Sequence, residues 1–328
     1  MLTTFDELRD NLASTIRDTQ IASLLGSFLN LTAQEIFNHH TWTWRRRKQT
    51  FATVADQETY SLDSEVDEIA ILRQITSPIR LIQMSDDQFY AAIPAPENNG
   101  SGTSRIYRLW EESGFSTNLA AADTIYVVSS STSDGSSFNV IVEGRNSSGE
   151  VVREQITLNG TTNVTSSNTF AASGLLNVSK SAQTTGTISV YRTTGATLLA
   201  ELEPEQLAPR YKRISLYPIP SAVVTMYLEY YENFRPMVND TDVSQIPTKW
   251  NWVLREGALS RAWEYKQSEQ LAVLHRQVFQ NALRDMKAQD QRNVDYIPML
   301  QPRQVVRSLV KQYSDSVSNN FPIYGVGY

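Results

Sequence analysis

There is no cysteine in the 328 residues, so they can build no disulfide framework, thiolate zinc site or cysteine nucleophile. Histidine is almost as scarce. His39, His40 and His275 leave little material for general acid–base chemistry or for a metal centre. No apolar run approaches the roughly 20 residues of a membrane-spanning helix. The longest are Ile21 to Leu25 and Ser221 to Tyr231, and the first residues carry Asp6, Glu7, Arg9 and Asp10 where a secretory signal would be apolar. A soluble protein without membrane contact is expected. The chain also lacks G-x-S-x-G, the P-loop, the dinucleotide fingerprint and H-E-x-x-H. The expectation is therefore no enzyme, no cofactor and no metal.

What is present has a globular balance, 41% hydrophobic and 20% charged, enough for about two domains. Thirty-five acidic residues outnumber 29 basic ones, which removes the broad positive footprint that duplex binding needs.

Helical spacing opens the chain, with Phe5, Leu8, Leu12 and Ile16, then Ile21, Leu24, Leu25 and Phe28. Thr4 with Glu7, and Thr32 with Glu35, read as capping boxes, so a second helix is expected from about Thr32 to about His40. After Trp42-Thr43-Trp44 and the run Arg45 to Lys48 the pattern alternates. Phe51, Val54, Tyr60 and Leu62 around Asp56-Gln57 suggest a hairpin, followed by strands at Ile69 to Ile75 and Ile79 to Ile82. Ser85 with Gln88 marks a short helix that ends before Pro94, and Arg105 to Trp110 is extended again.

From about Gly114 to about Leu198 the chain is rich in Ser, Thr and Gly and sparse in charge. Strands are expected at Thr124 to Val128, Phe138 to Gly144, Val151 to Leu158, Leu175 to Lys180 and Gly186 to Arg192, separated by Gly and Asn turns. They suggest a small β-sandwich, immunoglobulin-like in outline. A disordered Ser/Thr linker is the competing reading, and the regular return of Val, Ile and Phe speaks against it. The earlier pattern then resumes with Tyr211 to Tyr217 and Val223 to Tyr231, two strands joined across Pro218-Ile219-Pro220. The Ser/Thr-rich part thus reads as an insertion into a discontinuous host.

Pro247 starts a long helix whose apolar face reaches about Gln291, with Gly257, Ala258 and Ala262 small enough for close approach of the N-terminal helices. Beyond it Pro298, Pro302 and Pro322 and the loss of a helical face predict an extended arm, Tyr296 to Tyr328. Its Tyr296, Ile297, Met299, Leu300, Phe321, Ile323 and Tyr324 call for a partner surface, and Arg303, Arg307 and Lys311 make it mildly basic.

The fold expected is α+β. N-terminal helices occupy 1–44, a first β part 45–113, the inserted immunoglobulin-like sandwich 114–200 and a second β part 201–245. A long helix at 246–292 completes a helical bundle, and the arm fills 293–328.

Trp42, Trp44, Arg45, Arg46 and Arg47 form the most conspicuous basic–aromatic run. A contact between subunits, plain exposed surface and a nucleic-acid contact compete for it, the first being favoured by its alternation into a strand. His39-His40 at a helix end suits a cap or surface feature, and the doublets Asp67-Glu68, Asp86-Asp87 and Glu111-Glu112 suit solvated element ends.

The order of segments resembles the head-to-tail adaptor (head completion, tail tubular protein A-like) family of tailed bacteriophages. The resemblance lies in Thr32 to His40 running into Trp42-Thr43-Trp44-Arg45-Arg46, in the stretch from Thr50-Phe51-Ala52 to Tyr60-Ser61-Leu62, and in Ile214-Ser215-Leu216-Tyr217-Pro218-Ile219-Pro220. It closes with Ile246-Pro247-Thr248-Lys249-Trp250 and Glu256-Gly257-Ala258-Leu259-Ser260-Arg261-Ala262. The family pattern passes from the equivalent of Trp110 to that of Tyr211, so the insertion is a departure.

The resemblance implies a structural virion protein, a dodecameric ring at the neck that joins the portal protein to a tail or nozzle protein and continues the channel for genomic DNA. It also implies that the arm, through Tyr296, Ile297, Met299, Leu300, Arg303, Phe321, Ile323 and Tyr324, docks on the portal. A closed ring repeats one heterologous contact, and an acidic balance lets DNA slide along a channel wall. The alternative is a virion surface or tail component whose insert binds carbohydrate or a host surface.

Overall fold

Thr4 opens the first helix in the computed structural model: its hydroxyl accepts from the Glu7 amide at 3.3 Å, and the Glu7 carboxylate accepts from the Thr4 amide. The structure describes residues 4–18, 21–75, 80–94, 96 and 101–295. Helix α1 (Phe5–Ile16) buries the four apolar residues that its spacing predicts. Helix α2 (Leu25–His39) begins at Leu25, not at Thr32. Thr32 lies inside it and donates its hydroxyl back to the Phe28 carbonyl at 2.8 Å, a bond that competes with capping. The buried Leu25 and Leu29 extend the apolar face upstream and outweigh the local cap signal.

The long C-terminal helix is two helices. Helix α4 (Asn251–Tyr265) ends at Lys266, Gln267 takes a left-handed φ of 58°, and α5 (Glu269–Asp295) doubles back. His275 meets Glu256 at 2.7 Å, and Phe279 returns to Gly257, where an added Cβ would lie 2.8 Å from its ring. No glycine or proline announces that reversal. On its other side Gly257 faces α2, with the Thr32 methyl 2.3 Å from the same Cβ position. Only glycine permits this approach, and α1, α2 and α4 pack together as expected of the two ends of the chain.

The β structure draws on both sides of the Ser/Thr-rich segment. Strand β1 (Arg46–Ala52) pairs with β14 (Thr225–Glu232), which pairs with β3 (Val66–Gln74), all antiparallel. A second sheet runs in the order β2 (Thr59–Ser61), β13 (Tyr211–Tyr217), β5 (Ile106–Ser113) and β4 (Ile82–Gln83). One core joins the two sheets, with Tyr60, Leu72, Ile214, Leu216, Met226 and Leu228 among its members. The expected hairpin at 51–62 is absent, because β1 and β2 enter different sheets. The strands either side of Pro218 likewise separate: the chain crosses from one sheet to the other there instead of turning back. Helix α3 (Asp86–Ala92) carries the predicted cap from Ser85 and Gln88.

Between β5 and β13 lie seven strands: β6 (Ile125–Ser129), β7 (Asn139–Arg145), β8 (Val151–Thr157), β9 (Val164–Thr165), β10 (Leu175–Lys180), β11 (Ile188–Arg192) and β12 (Leu198–Leu202). They form sheets in the orders β10-β7-β8 and β12-β11-β6-β9 over a shared core that includes Ile125, Val142, Phe170 and Val190. In immunoglobulin constant domains the first two strands share a sheet. Here β6 and β7 lie in different sheets, so the strand order is another one. Strand β12 runs past residue 200 to Leu202, and β9 and β12 are additions to the predicted strands. Ser113 pairs directly with Tyr211, so the segment leaves and re-enters the host on neighbouring residues of one strand pair. The described residues up to 283 belong to one compact unit, and 284–295, the end of α5, to a second.

Candidate functional site

Two members of the basic–aromatic run are core residues. Trp42 is 1% exposed and donates its indole N–H to the Ile36 carbonyl at 2.7 Å, which fixes the chain just beyond α2. Arg45 is 6% exposed. Its guanidinium donates to the carbonyls of Phe37 (3.3 Å) and Glu232 (2.9 Å) and to Asp67 (2.5 Å), and lies over the Phe37 ring at 4.1 Å. It therefore fastens the end of α2 to β14 and β3. Burial inside their own chain leaves Trp42 and Arg45 no surface for a neighbouring subunit, because the indole and the guanidinium satisfy local carbonyls.

Trp44 is partly covered and stacks on Trp42 with ring centres 6.1 Å apart. Arg46 and Arg47 are exposed but paired, with Glu229 and with Glu232 (2.8 Å) respectively. Burial pushes the Glu232 carboxyl above its ordinary range against the pull of Arg47, Arg235 and Arg45. Arg46 and Arg47 are thus paired by carboxylates of β14, and Arg45 by Asp67 of β3.

A second cluster surrounds Arg108 on β5. Its guanidinium lies 4.5 Å from the Phe89 ring, 5.2 Å from Tyr90 and 4.7 Å from Trp110. It also donates to the Tyr90 hydroxyl (3.1 Å) and to Asp86 (3.3 Å), and sits 3.5 Å from Glu58. Trp110 is the extra residue of a β-bulge, since Glu111 pairs with Arg213 and Leu109 with Ile214. Arg108 and Trp110, two residues apart on β5, lie on one face of the strand. The sequence reading missed this cluster; two consecutive exposed apolar residues, Leu109 and Trp110, were the available signal.

In the Ser/Thr-rich segment, Asp134 is fully buried and accepts from the Ser129 hydroxyl (2.6 Å) and the amides of Thr185 and Gly186 (both 2.8 Å). Burial would raise its pKa, but these donors hold it below the ordinary range. Lys180, also buried, gives its ammonium to Thr184 Oγ1 (2.7 Å) and to the carbonyls of Glu203 (2.7 Å) and Pro204 (2.8 Å). It ties β10 to the turn that follows β12, from which the chain runs back to the host. Burial pushes its pKa down to about 8.

Among the described residues no group of three or more His, Asp or Glu side chains is placed to hold a metal ion. No described helix is long and apolar enough to cross a membrane. The arm residues Tyr296, Ile297, Met299, Leu300, Arg303, Phe321, Ile323 and Tyr324 lie outside the described residues.

Residues 148–305 match the family model of the SU10 adaptor protein. The match covers a little under half of the chain and supports a phage adaptor protein. The matched span takes in β8 to β14, α4 and α5, so it runs through the second half of the Ser/Thr-rich segment and does not include the Trp42 to Leu62 stretch. No curated protein matches the chain. Among solved structures, that of the infectious bursal disease virus Gx strain is similar at 10% identity and a TM-score of 0.11, over 58% of this chain and 42% of that chain. So slight a likeness carries no argument about the fold.

Proposed function

We propose that the chain is the repeating unit of a non-catalytic adaptor ring at the neck of a phage virion, between the portal protein and the tail or nozzle. The match of residues 148–305 to the SU10 adaptor protein carries this reading. The architecture supports it. Helices from both ends of the chain pack on one another, and aliphatic side chains stay exposed on α5 at Leu271, Leu274 and Val278. Val54, Ile75 and Val223 are likewise exposed at one end of the β1-β14-β3 sheet. Two separate apolar surfaces on one subunit suit a heterologous contact, and a heterologous contact closes only as a ring.

In this reading the arm, 296–328, docks on the portal, and residues 114–200 form a sandwich-like appendage of the adaptor. Mass photometry of the full chain with its portal, compared with a chain lacking 296–328, tests it. The full chain is expected to form a saturable complex and the shortened chain a much weaker one. Equal binding by both would remove portal docking from the arm.

A further inference from the structure

The surface around Arg108 has the chemistry of a docking platform. Tyr90 on α3 and Trp110 on the bulge of β5 are each about half exposed (47% and 48%), and the guanidinium between them is buried. Four carboxylates surround the two rings: Asp86 and Asp87 within one turn of Tyr90, Glu58 beside Arg108, and Glu111 next to Trp110. Among the described residues, Arg108 pairs with Asp86 and Glu58, and Arg213 with Glu111 at 2.7 Å. The platform is therefore an aromatic surface with surplus negative charge. Its complement is a segment that alternates cations with aliphatic groups, because cations gain from aromatic faces and carboxylates together.

The chain contains such a segment. Arg303, Arg307 and Lys311 recur at every fourth residue with Val305 and Leu309 between them and no acidic residue among them. That spacing sets the three cations on one face of either a strand or a helix. Arg303 lies eight residues beyond the end of α5, so up to about 26 Å of chain separates them. We propose that residues 303–311 of one copy dock across Tyr90 and Trp110 of a neighbouring copy, so that the arm links subunits before its final residues go elsewhere. The proposal goes beyond the adaptor reading and does not require the portal.

The absence of native cysteine makes the test direct. Asp87→Cys and Arg307→Cys are made in separate full-length chains, mixed, oxidised and run without reductant. A disulfide-linked heterodimer is expected at about ten-fold the yield of a control mixture of Val151→Cys with Arg307→Cys, because docking raises the effective concentration of the two thiols. Adding Arg303→Glu and Lys311→Glu to the Arg307→Cys chain is expected to bring the yield to the control level.

No excess over the control would overturn the proposal. So would crosslinking that survives the charge reversal, or that appears only when both cysteines are in one chain. A chain that fails here yet binds its portal normally would refute the inter-copy link and leave the adaptor reading standing.

Discussion

At Gly257 three helices meet so closely that an added Cβ would fall 2.3 Å from the Thr32 methyl and 2.8 Å from the Phe279 ring. Gly257→Val should cost about 1–3 kcal/mol through overpacking, read as a lower urea midpoint with an unchanged slope. Lys180 gives a residue-scale test with the opposite sign. Its folded pKa of about 8 lies below the ordinary 10.5, so between these values the unfolded chain holds the proton that the folded chain has released. Stability then rises with pH across that window. Melting followed from pH 7.5 to pH 9.5 should move upward, by about 2 kcal/mol in stability. The Lys180→Met variant should lack this rise. Tyr60, Tyr107, Tyr211 and Tyr230 have pKa values raised by burial, Tyr211 to about 12, so their opposing effect belongs above pH 10, where they ordinarily titrate.

At the scale of elements, the direct pairing of Ser113 with Tyr211 makes the connection between β5 and β13 a hairpin from which seven strands have been spun out. A chain in which residues 115–209 are replaced by Asn-Gly should still fold, because both host sheets and their core stay intact. It should elute as a single species and melt in one transition; an aggregated product would show that the segment is required. Tyr211 is the tether most at risk. It belongs to the segment's core and exchanges hydrogen bonds with Glu201 through its hydroxyl, at 2.8 and 2.9 Å. Elements that declare themselves locally were legible in the sequence, as with the caps at Thr4 and Ser85, whose partners are three residues away. Strand pairing was not. Nothing near β1 says that its partner is β14, more than 170 residues on, and nothing at Gln267 marks a reversal that only the packing of Phe279 on Gly257 explains. The run from Trp42 to Arg47 was noticed for its composition, but composition does not tell which side chain faces inward. Trp42 and Arg45 turned into the core while Arg46 and Arg47 met Glu229 and Glu232.

For the whole molecule, aliphatic side chains on α5 and at one end of the β1-β14-β3 sheet stay exposed, as do Tyr90 and Trp110 beside Arg108. We propose that this chain works as a subunit of a closed ring in a virion neck. Electron microscopy of the full chain incubated with its portal tests it most directly. End-on views of a closed ring coaxial with the portal are expected, about 440 kDa if twelve chains of 37.0 kDa contribute. A portal decorated by scattered single copies, or left bare beside free monomers, would contradict it.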